Sequence, residues 1–240
     1  MIIVCAGDSF TAGAELLEET MINGYSEFSL DKAFKVQLPN NTRRFDLSYP
    51  GLLKKKLGCH VFNLGESGCS QIDSMQRLMV RLAKFRKDHP KMKLVCILQN
   101  NFLERVWLKK DNKTKSVMLT GLRNTDIASY EISLTYIKYI IEDVMLSEYY
   151  LQSLALQYFC RNNDIDFLHF TIFDSREQLP ISEQTQIIKK IANESRIDYI
   201  IEHKLSDIKK YKLPLGHINC EATEIMADWL IDEMKKRKIL

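Results

Sequence analysis

Short apolar runs of strand length alternate with longer amphipathic stretches along most of this chain. The apolar runs predict strands at residues 2–5, 59–64, 93–98, 166–171 and 199–201. Apolar side chains with the helical period predict helices at residues 11–21, 48–58, 72–87, 127–162, 183–193 and 221–236, and an interruption near 146–147 would divide the fourth. Because strands that alternate with helices pair in parallel, we expect an α/β fold. It would be a three-layer α/β/α sandwich around a doubly wound, flavodoxin-like parallel sheet of about five strands.

Two stretches break this alternation. Residues 22–47 contain turn-forming pairs and scattered aromatic residues, and residues 104–125 are polar and irregular. We expect the first to be a long loop, either an ordered flap beside a site or a variable insertion, and the second to be a surface excursion. The whole chain, residues 1–240, is expected to form a single domain.

The first predicted strand runs directly into a polar turn, Gly7-Asp8-Ser9, and then into a helical pattern. If the sheet is parallel, Ser9 lies at the carboxyl end of a strand, where open α/β sheets form their ligand crevices. The amides of a following helix favour negative charge at the same place. Alone, however, a Gly-Asp-Ser triplet is more often a simple helix cap than a catalytic turn.

A serine nucleophile needs a base, usually an imidazole, and hydrogen-bond donors for an oxyanion. Of the five histidines, only His217 lies in a polar, glycine-containing loop. Polar residues also follow the second and third predicted strands, at residues 65–70 and 99–101. Because the carboxyl ends of parallel strands meet at one edge of a sheet, we expect these loops to converge near Ser9.

These loops carry motifs that resemble those of the SGNH hydrolases, also called the GDSL esterase/lipase family. Residues 7–10, Gly-Asp-Ser-Phe, resemble the first block of that family, with phenylalanine where leucine is commonest, and residues 63–68, Asn-Leu-Gly-Glu-Ser-Gly, resemble the second. Residues 98–101, Leu-Gln-Asn-Asn, resemble the third block, and residues 217–219, His-Ile-Asn, the fifth. The blocks occur in the family's order across nearly the whole chain, which is similar to short single-domain members, including those encoded by bacteriophages.

The resemblance implies an SGNH-type fold and acyl transfer through an acyl-serine intermediate, with no metal and no cofactor. It implies Ser9 as the nucleophile, His217 as the base, the backbone amides of Ser9 and Gly68 and the side-chain amide of Asn100 as oxyanion donors, and Asp8 and Asn101 as supporting residues. A shift of one residue in the third block would make Asn101 the donor instead.

The fifth block departs from the family at Pro214, where the family has an aspartate three residues before the histidine. Such an aspartate fixes the imidazole tautomer and stabilises the imidazolium. Three interpretations stay open: a Ser-His dyad, a triad completed by another acid such as Asp207 or Glu221, or a hydrolase fold kept for binding or structure. We therefore expect a serine esterase acting on a carboxylic ester, for instance an O-acetyl group on a carbohydrate, with a weak or inactive binding or structural module as the alternative.

The composition of the chain limits which kinds of partner and which cellular compartment we expect. The chain is 45% hydrophobic, its net charge is only +3, and its lysine-rich stretches at 54–56 and 109–115 are typical of solvated faces. No apolar run reaches membrane-spanning length, no secretory signal is visible, and the six cysteines form no C-x-x-C pair. We expect a cytoplasmic protein with a small-molecule or carbohydrate ester as substrate, and no nucleic-acid or membrane partner.

Overall fold

The computed structural model describes residues 1–13, 16, 42–66, 69–99, 105–110, 113–118, 146–171, 183–194, 198–200 and 218–240. Its strands are β1 (Ile2–Ala6), β2 (His60–Asn63), β3 (Leu94–Gln99), β4 (Arg105–Lys110), β5 (Lys113–Met118), β6 (Ile165–Thr171) and β7 (Asp198–Ile200). Its helices are α1 (Ser9–Ala12), α2 (Thr42–Leu47), α3 (Tyr49–Leu57), α4 (Gln71–Asp88), α5 (Leu146–Asn162), α6 (Glu183–Glu194) and α7 (Cys220–Lys236).

The main sheet of the described residues has five parallel strands in the order β2-β1-β3-β6-β7. β1 lies between β2 and β3, so Cys5 is opposite Asn63 of β2 on one side and Ile97 of β3 on the other. The chain moves outward from β1 to β2 and then returns to the other side at β3. The strand order therefore reverses between β1 and β3, which makes this the switch point of a flavodoxin-like doubly wound fold. The predicted fold class is confirmed.

Two apolar layers cover the two faces of this sheet. Ile3 and Cys5 of β1 belong to a core formed with α3 and α7. Ile2 and Val4, which point the other way, belong to a second core formed with α4 and α5. β1 is thus buried on both faces, as expected for a parallel strand between helical layers.

Cap residues set the ends of the helices that flank the site. Ser48 caps α3, with its hydroxyl accepting a hydrogen bond from the Gly51 amide, and Gly58 ends the helix in the left-handed conformation at φ 61°. Ser70 caps α4 in the same way by accepting from the Asp73 amide at 3.3 Å. The helices predicted at 48–58 and 72–87 are confirmed to within one or two residues.

The structure corrects two predictions of irregular chain. Residues 42–47, the end of the predicted 22–47 loop, form the short helix α2, which is closed by two hydrogen bonds from the Ser48 hydroxyl and amide to the Phe45 carbonyl at 2.6 and 3.1 Å. One turn and a half is too short to show a helical period. Within the predicted 104–125 excursion, β4 and β5 pair as an antiparallel hairpin in which Lys110 lies opposite Lys113. Lysines in both strands obscure the alternation that would have predicted them.

Two predicted helices fall partly outside the described residues. α1 begins at Ser9, and beyond it only residues 13 and 16 of the predicted 11–21 helix are described. Of the predicted 127–162 helix, residues 146–162 form α5, and the remainder lies outside the described ranges. None of the helices in the described parts of the chain combines the length and the apolar character needed to cross a membrane.

Candidate active site

Ser9 is the first residue of α1 and stands three residues beyond the last residue of β1. The helix begins there because the Ala12 amide donates to the Asp8 carbonyl at 2.9 Å. Since β1 lies between β2 and β3, the backbone of Ser9 is at the carboxyl edge of the sheet and at its switch point. The placement of Ser9 at a strand's carboxyl end is confirmed.

A buried chain of polar side chains lies directly under this turn. The Gln99 side-chain amide donates from Nε2 to Asp8 Oδ1 at 3.0 Å, and its Oε1 accepts from Thr11 Oγ1 at 2.6 Å. The Tyr49 hydroxyl lies 3.2 Å from Thr11 Oγ1. All four residues are at most 1% exposed. Three elements therefore meet here: the end of β3, the turn between β1 and α1, and the first residue of α3.

The end of β2 is fastened to α1 by a second polar contact. Asn63 donates from Nδ2 to the Thr11 carbonyl at 2.8 Å, and its Oδ1 accepts from the Gly65 amide at 2.8 Å. A Cβ atom at Gly65 would lie 2.7 Å from the Ala12 amide nitrogen and from Thr11 Cβ, so only glycine permits this approach. The turn that opens the second block is thus packed against the turn that carries Ser9.

The two ends of the loop that carries Gly68 are also held. On one side the Glu66 amide donates to the Gly7 carbonyl at 3.2 Å, and on the other the Cys69 thiol donates to the same carbonyl at 3.0 Å. Arg77 of α4 pairs with both Glu66 and Asp73. Partial burial lowers the pKa of its guanidinium, but the two pairs outweigh this effect and leave the pKa above its ordinary value. The chain on both sides of residues 67 and 68 is therefore anchored to the turn after β1, and Glu66 is also paired with α4.

The acidic groups that act on Tyr49 are the thiols of Cys5 and Cys96 and the carboxyl group of Asp8. Burial is the main cause that raises the pKa of the Tyr49 hydroxyl well above its ordinary value, and it acts in the same direction on the thiols of Cys5 and Cys96. Asp8 also raises the pKa of Tyr49 through charge repulsion. Tyr49 is consequently a hydrogen-bond donor or acceptor and not an anion at neutral pH.

The structure describes part of the predicted site. Ser9 is described by its backbone, and Asp8 is fully buried and bonded to Gln99. The other predicted residues lie outside the described ranges, together with Pro214 and Asp207, so their roles remain predictions: Gly68, Asn100, Asn101 and His217. Glu221, an alternative acid, is described and lies exposed in the first turn of α7.

Three of the remaining histidines are poorly placed to act on Ser9. His60 begins β2 and His89 precedes β3, so both lie at the amino edge of the sheet, opposite the turn. His169 is buried within β6, with its Nε2 atom 3.4 Å from the Tyr149 hydroxyl. His203 lies outside the described residues.

Sequence reasoning missed Thr11, Tyr49 and Gln99 as parts of the site. Gln99 could have been found, because it is the first polar residue after the apolar run of β3. Thr11 follows Ser9 by two residues, which is a weaker hint. Tyr49 reaches the turn only through the packing of α3 against the sheet, so no local pattern indicates it.

Comparisons with known proteins find distant likenesses to solved structures, of which two are given below. No protein-family model and no curated protein matches this chain. Its structure is similar to that of a protein from Desulfitobacterium hafniense DCB-2 assigned to the G-D-S-L family of lipolytic proteins, at 15% identity and a TM-score of 0.45, over 95% of this chain and 97% of that one. A second similar structure, of a protein from Parabacteroides merdae ATCC 43184 assigned as a GDSL-like lipase, has 15% identity and a TM-score of 0.40 over 95% of this chain and 92% of the other. The fold class rests on the strand order and register given above.

Proposed function

We propose that this protein is a serine esterase that hydrolyses a carboxylic ester through an acyl-serine intermediate. In this proposal Ser9 is the nucleophile and His217 is the base. The oxyanion donors are the backbone amides of Ser9 and Gly68 and the side-chain amide of Asn100, and Asp8 and Asn101 are supporting residues. The substrate class is a small or carbohydrate-linked ester, such as an O-acetyl group on a sugar.

The observation that carries the proposal is the position of Ser9. It stands just beyond β1, at the β1/β3 switch point where doubly wound folds bind their ligands. The end of β2 and the end of β3 are both hydrogen-bonded to the turn that carries it, through Asn63 and Gln99. Three of the motif-bearing segments thus converge on one edge of the sheet, which is what an acyl-transfer site built from them requires.

The reaction proceeds in two steps. In the first, Ser9 Oγ attacks the ester carbonyl carbon as His217 takes its proton, the oxyanion donors hold the tetrahedral intermediate, and the departing alkoxide recovers the proton from the imidazolium. In the second, His217 takes a proton from water, the hydroxide attacks the acyl-serine, and the acid leaves as Ser9 Oγ is reprotonated. Loss of one oxyanion donor typically costs about 10²–10³-fold in kcat.

The proline at residue 214 predicts slow turnover. In serine proteases, loss of the carboxylate behind the imidazole costs about 10⁴-fold in kcat, because the tautomer and the imidazolium are no longer stabilised. With Pro214 at the family's aspartate position, this contribution has to come from another acceptor or be forgone. Because a single covalent event is enough for detection, a slowly reacting Ser9 is easier to detect by covalent labelling than by repeated turnover.

Hydrolysis of p-nitrophenyl acetate tests the reaction class. We expect wild-type protein to release nitrophenol faster than Ser9→Ala, His217→Ala and Asn100→Ala, with the Asn100 variant reduced by about 10²-fold or more. His60→Ala is the matched control, because His60 is exposed at the opposite edge of the sheet, and it should retain the wild-type rate. Equal rates for wild type and Ser9→Ala would refute the esterase and favour the binding or structural module.

A further inference from the structure

The hydrogen bonds beneath Ser9 have a defined direction. Asp8 Oδ1 faces the Gln99 Nε2 donor, so the Oε1 atom of the same amide faces Thr11 and accepts its hydroxyl proton. Because Thr11 donates its only hydroxyl proton to Gln99, its oxygen acts as the acceptor in the contact with Tyr49, and the Tyr49 hydroxyl is the donor. The chain therefore runs from the Tyr49 hydroxyl through Thr11 and Gln99 to the carboxyl group of Asp8.

The Gln99 amide joins both sides of the nucleophile turn. Its nitrogen holds the residue before Ser9 and its oxygen holds the residue two places after it. Gln99 is also the last residue of β3, immediately before Asn100. One side chain thus connects the strand that leads to the proposed oxyanion donor with the turn that presents the proposed nucleophile.

The packing around Gln99 is close and leaves little freedom. Gln99 is 1% exposed, and a Cβ atom at Gly7 would lie 2.9 Å from Gln99 Cβ and would overlap Thr11 Oγ1. Buried polar groups held in this way have few alternative partners, so their geometry is strongly specified. Only a neutral amide both donates to Asp8 and accepts from Thr11 at all pH values, which neither an ionised glutamate nor a methionine does.

We propose that Gln99 is a positioning residue that sets the spacing between the nucleophile turn at Ser9 and the oxyanion donor at Asn100. This inference rests on the proposed function. The inference goes beyond that function because it assigns a role to a residue between two motif positions. It also predicts that the neutral amide is needed for the reactivity of Ser9 and not only for folding.

Among the acidic groups near these hydrogen-bonded side chains, Asp8 is the one that a charge at residue 99 would contact. Cys5, Asp8 and Cys96 are the acidic groups that act on Tyr49, and burial keeps both thiols protonated. A glutamate at residue 99 would therefore face the Asp8 carboxyl group directly. Two carboxyl groups in contact retain a shared proton to higher pH, so the pair titrates with one raised pKa.

The test is the rate at which a fluorophosphonate labels Ser9 in wild type and Gln99→Glu, measured by intact mass between about pH 5.5 and 8.5. Below the raised pKa, the protonated glutamate donates to Asp8 and accepts from Thr11 as the amide does. Above it, two carboxylates repel and the turn shifts. We expect the ratio of the variant's rate to the wild-type rate to fall with rising pH by about 10- to 100-fold, the cost of misplacing reacting groups by about 1 Å.

Three controls separate positioning from general damage. Gln76→Glu adds the same charge on the exposed face of α4 and should give a pH-independent ratio near one. Gln99→Met removes the amide without adding charge and should lower the rate equally at every pH. Thr11→Ser keeps the hydroxyl and should label nearly as fast as wild type, whereas Thr11→Val should not. Near-UV circular dichroism restricts the comparison to the pH range in which each variant is folded.

The outcomes distinguish this inference from the proposed function. A falling ratio in Gln99→Glu, with Thr11→Ser faster than Thr11→Val, would support the positioning role. If wild type labels at Ser9 but the ratio is flat, or the two Thr11 variants label equally, the positioning role is wrong and the esterase stands. If folded wild type does not label, the proposed function fails and the inference fails with it. If Gln99→Glu does not fold, the Gln99→Met and Thr11 variants decide the same question.

Discussion

At the scale of single residues, the absence of a side chain at Gly7 is as important as the polar groups around it. The Gly7 carbonyl accepts hydrogen bonds from the Glu66 amide and the Cys69 thiol. A Cβ atom at this residue would lie within 3.0 Å of Gln99 and Thr11. The turn at residues 7–9 can therefore pack closely against β3 and the second block only if residue 7 has no Cβ atom. The glycine of the Gly-Asp-Ser triplet is required by packing, whatever the reactivity of the serine.

Gly7→Ala should damage both stability and labelling. The new methyl group overlaps Thr11 Oγ1, which is buried and cannot move away freely, so we expect a loss of about 1–3 kcal/mol in the free energy of unfolding. Displacement of Thr11 and Gln99 should slow fluorophosphonate labelling of Ser9 as well. Urea unfolding and labelling kinetics measure the two effects.

Gly58→Ala is the matched control for this substitution. Gly58 has no atom near its Cβ position, but its φ of 61° is strained for alanine, so the variant should lose about 1 kcal/mol of stability. Because Gly58 ends α3 far along the chain from the turn, labelling should be unchanged. Equal labelling rates in both glycine variants would show that the packing at Gly7 does not affect Ser9.

At the scale of elements, α4 holds the second block against β1. Arg77 on this helix pairs with Glu66, just before residues 67 and 68, and with Asp73 one turn earlier on the same helix. The Arg77 and Glu66 side chains are 37% and 58% exposed, so solvent screens the pair and its contribution to stability is small. Its effect should instead be on where the loop that carries Gly68 lies.

Arg77→Ala should therefore slow labelling more than it lowers stability. We expect a loss of no more than about 1 kcal/mol in the free energy of unfolding, because the pair is exposed, together with a clear fall in the labelling rate. Lys56→Ala is the control, since it breaks a partly exposed pair with Asp228 between α3 and α7. If both variants label at the wild-type rate, the contact between α4 and the loop is not needed to form the site.

At the scale of the whole molecule, both faces of β1 are sealed by helices, and this burial affects acidic side chains far from the surface. The thiols of Cys5 and Cys96 and the hydroxyl of Tyr49 all have raised pKa values because burial disfavours their anions. In the unfolded chain they ionise near their ordinary values, about 8.5 for thiols and 10 for tyrosine. Unfolding at alkaline pH therefore releases protons.

Stability should consequently fall as pH rises above about 8.5. Each thiol that ionises only on unfolding contributes a slope of about 1.4 kcal/mol per pH unit, lost as pH rises above its unfolded pKa. Cys5→Ala should lower the free energy of unfolding at pH 7, because the smaller side chain leaves a cavity. It should also reduce the alkaline slope by the contribution of one ionising thiol, about 1.4 kcal/mol per pH unit. Urea unfolding at several pH values between 7 and 10 measures it, and an unchanged slope would contradict the burial of this thiol.

The main sheet was predictable because its strands and helices have simple periods. The strand at residues 2–5 is apolar on both faces, and Ser48, Pro50 and Gly58 mark the ends of α3 by their backbone preferences. The site was less predictable, because contacts such as Tyr49 to Thr11 join residues 38 positions apart and depend on how α3 packs on the sheet. The β4/β5 hairpin was missed because cross-strand pairing, and not a local apolar pattern, defines it.

Covalent labelling by a fluorophosphonate, followed by intact mass and peptide mapping, shows whether Ser9 is an activated nucleophile. The probe detects an activated serine without knowledge of the ester that the protein acts on. We expect one adduct on wild type, mapped to the peptide that contains Ser9, absent in Ser9→Ala and formed more slowly in His217→Ala. No adduct on folded wild type, or an adduct that persists in Ser9→Ala, would contradict a nucleophile at the β1/β3 switch point.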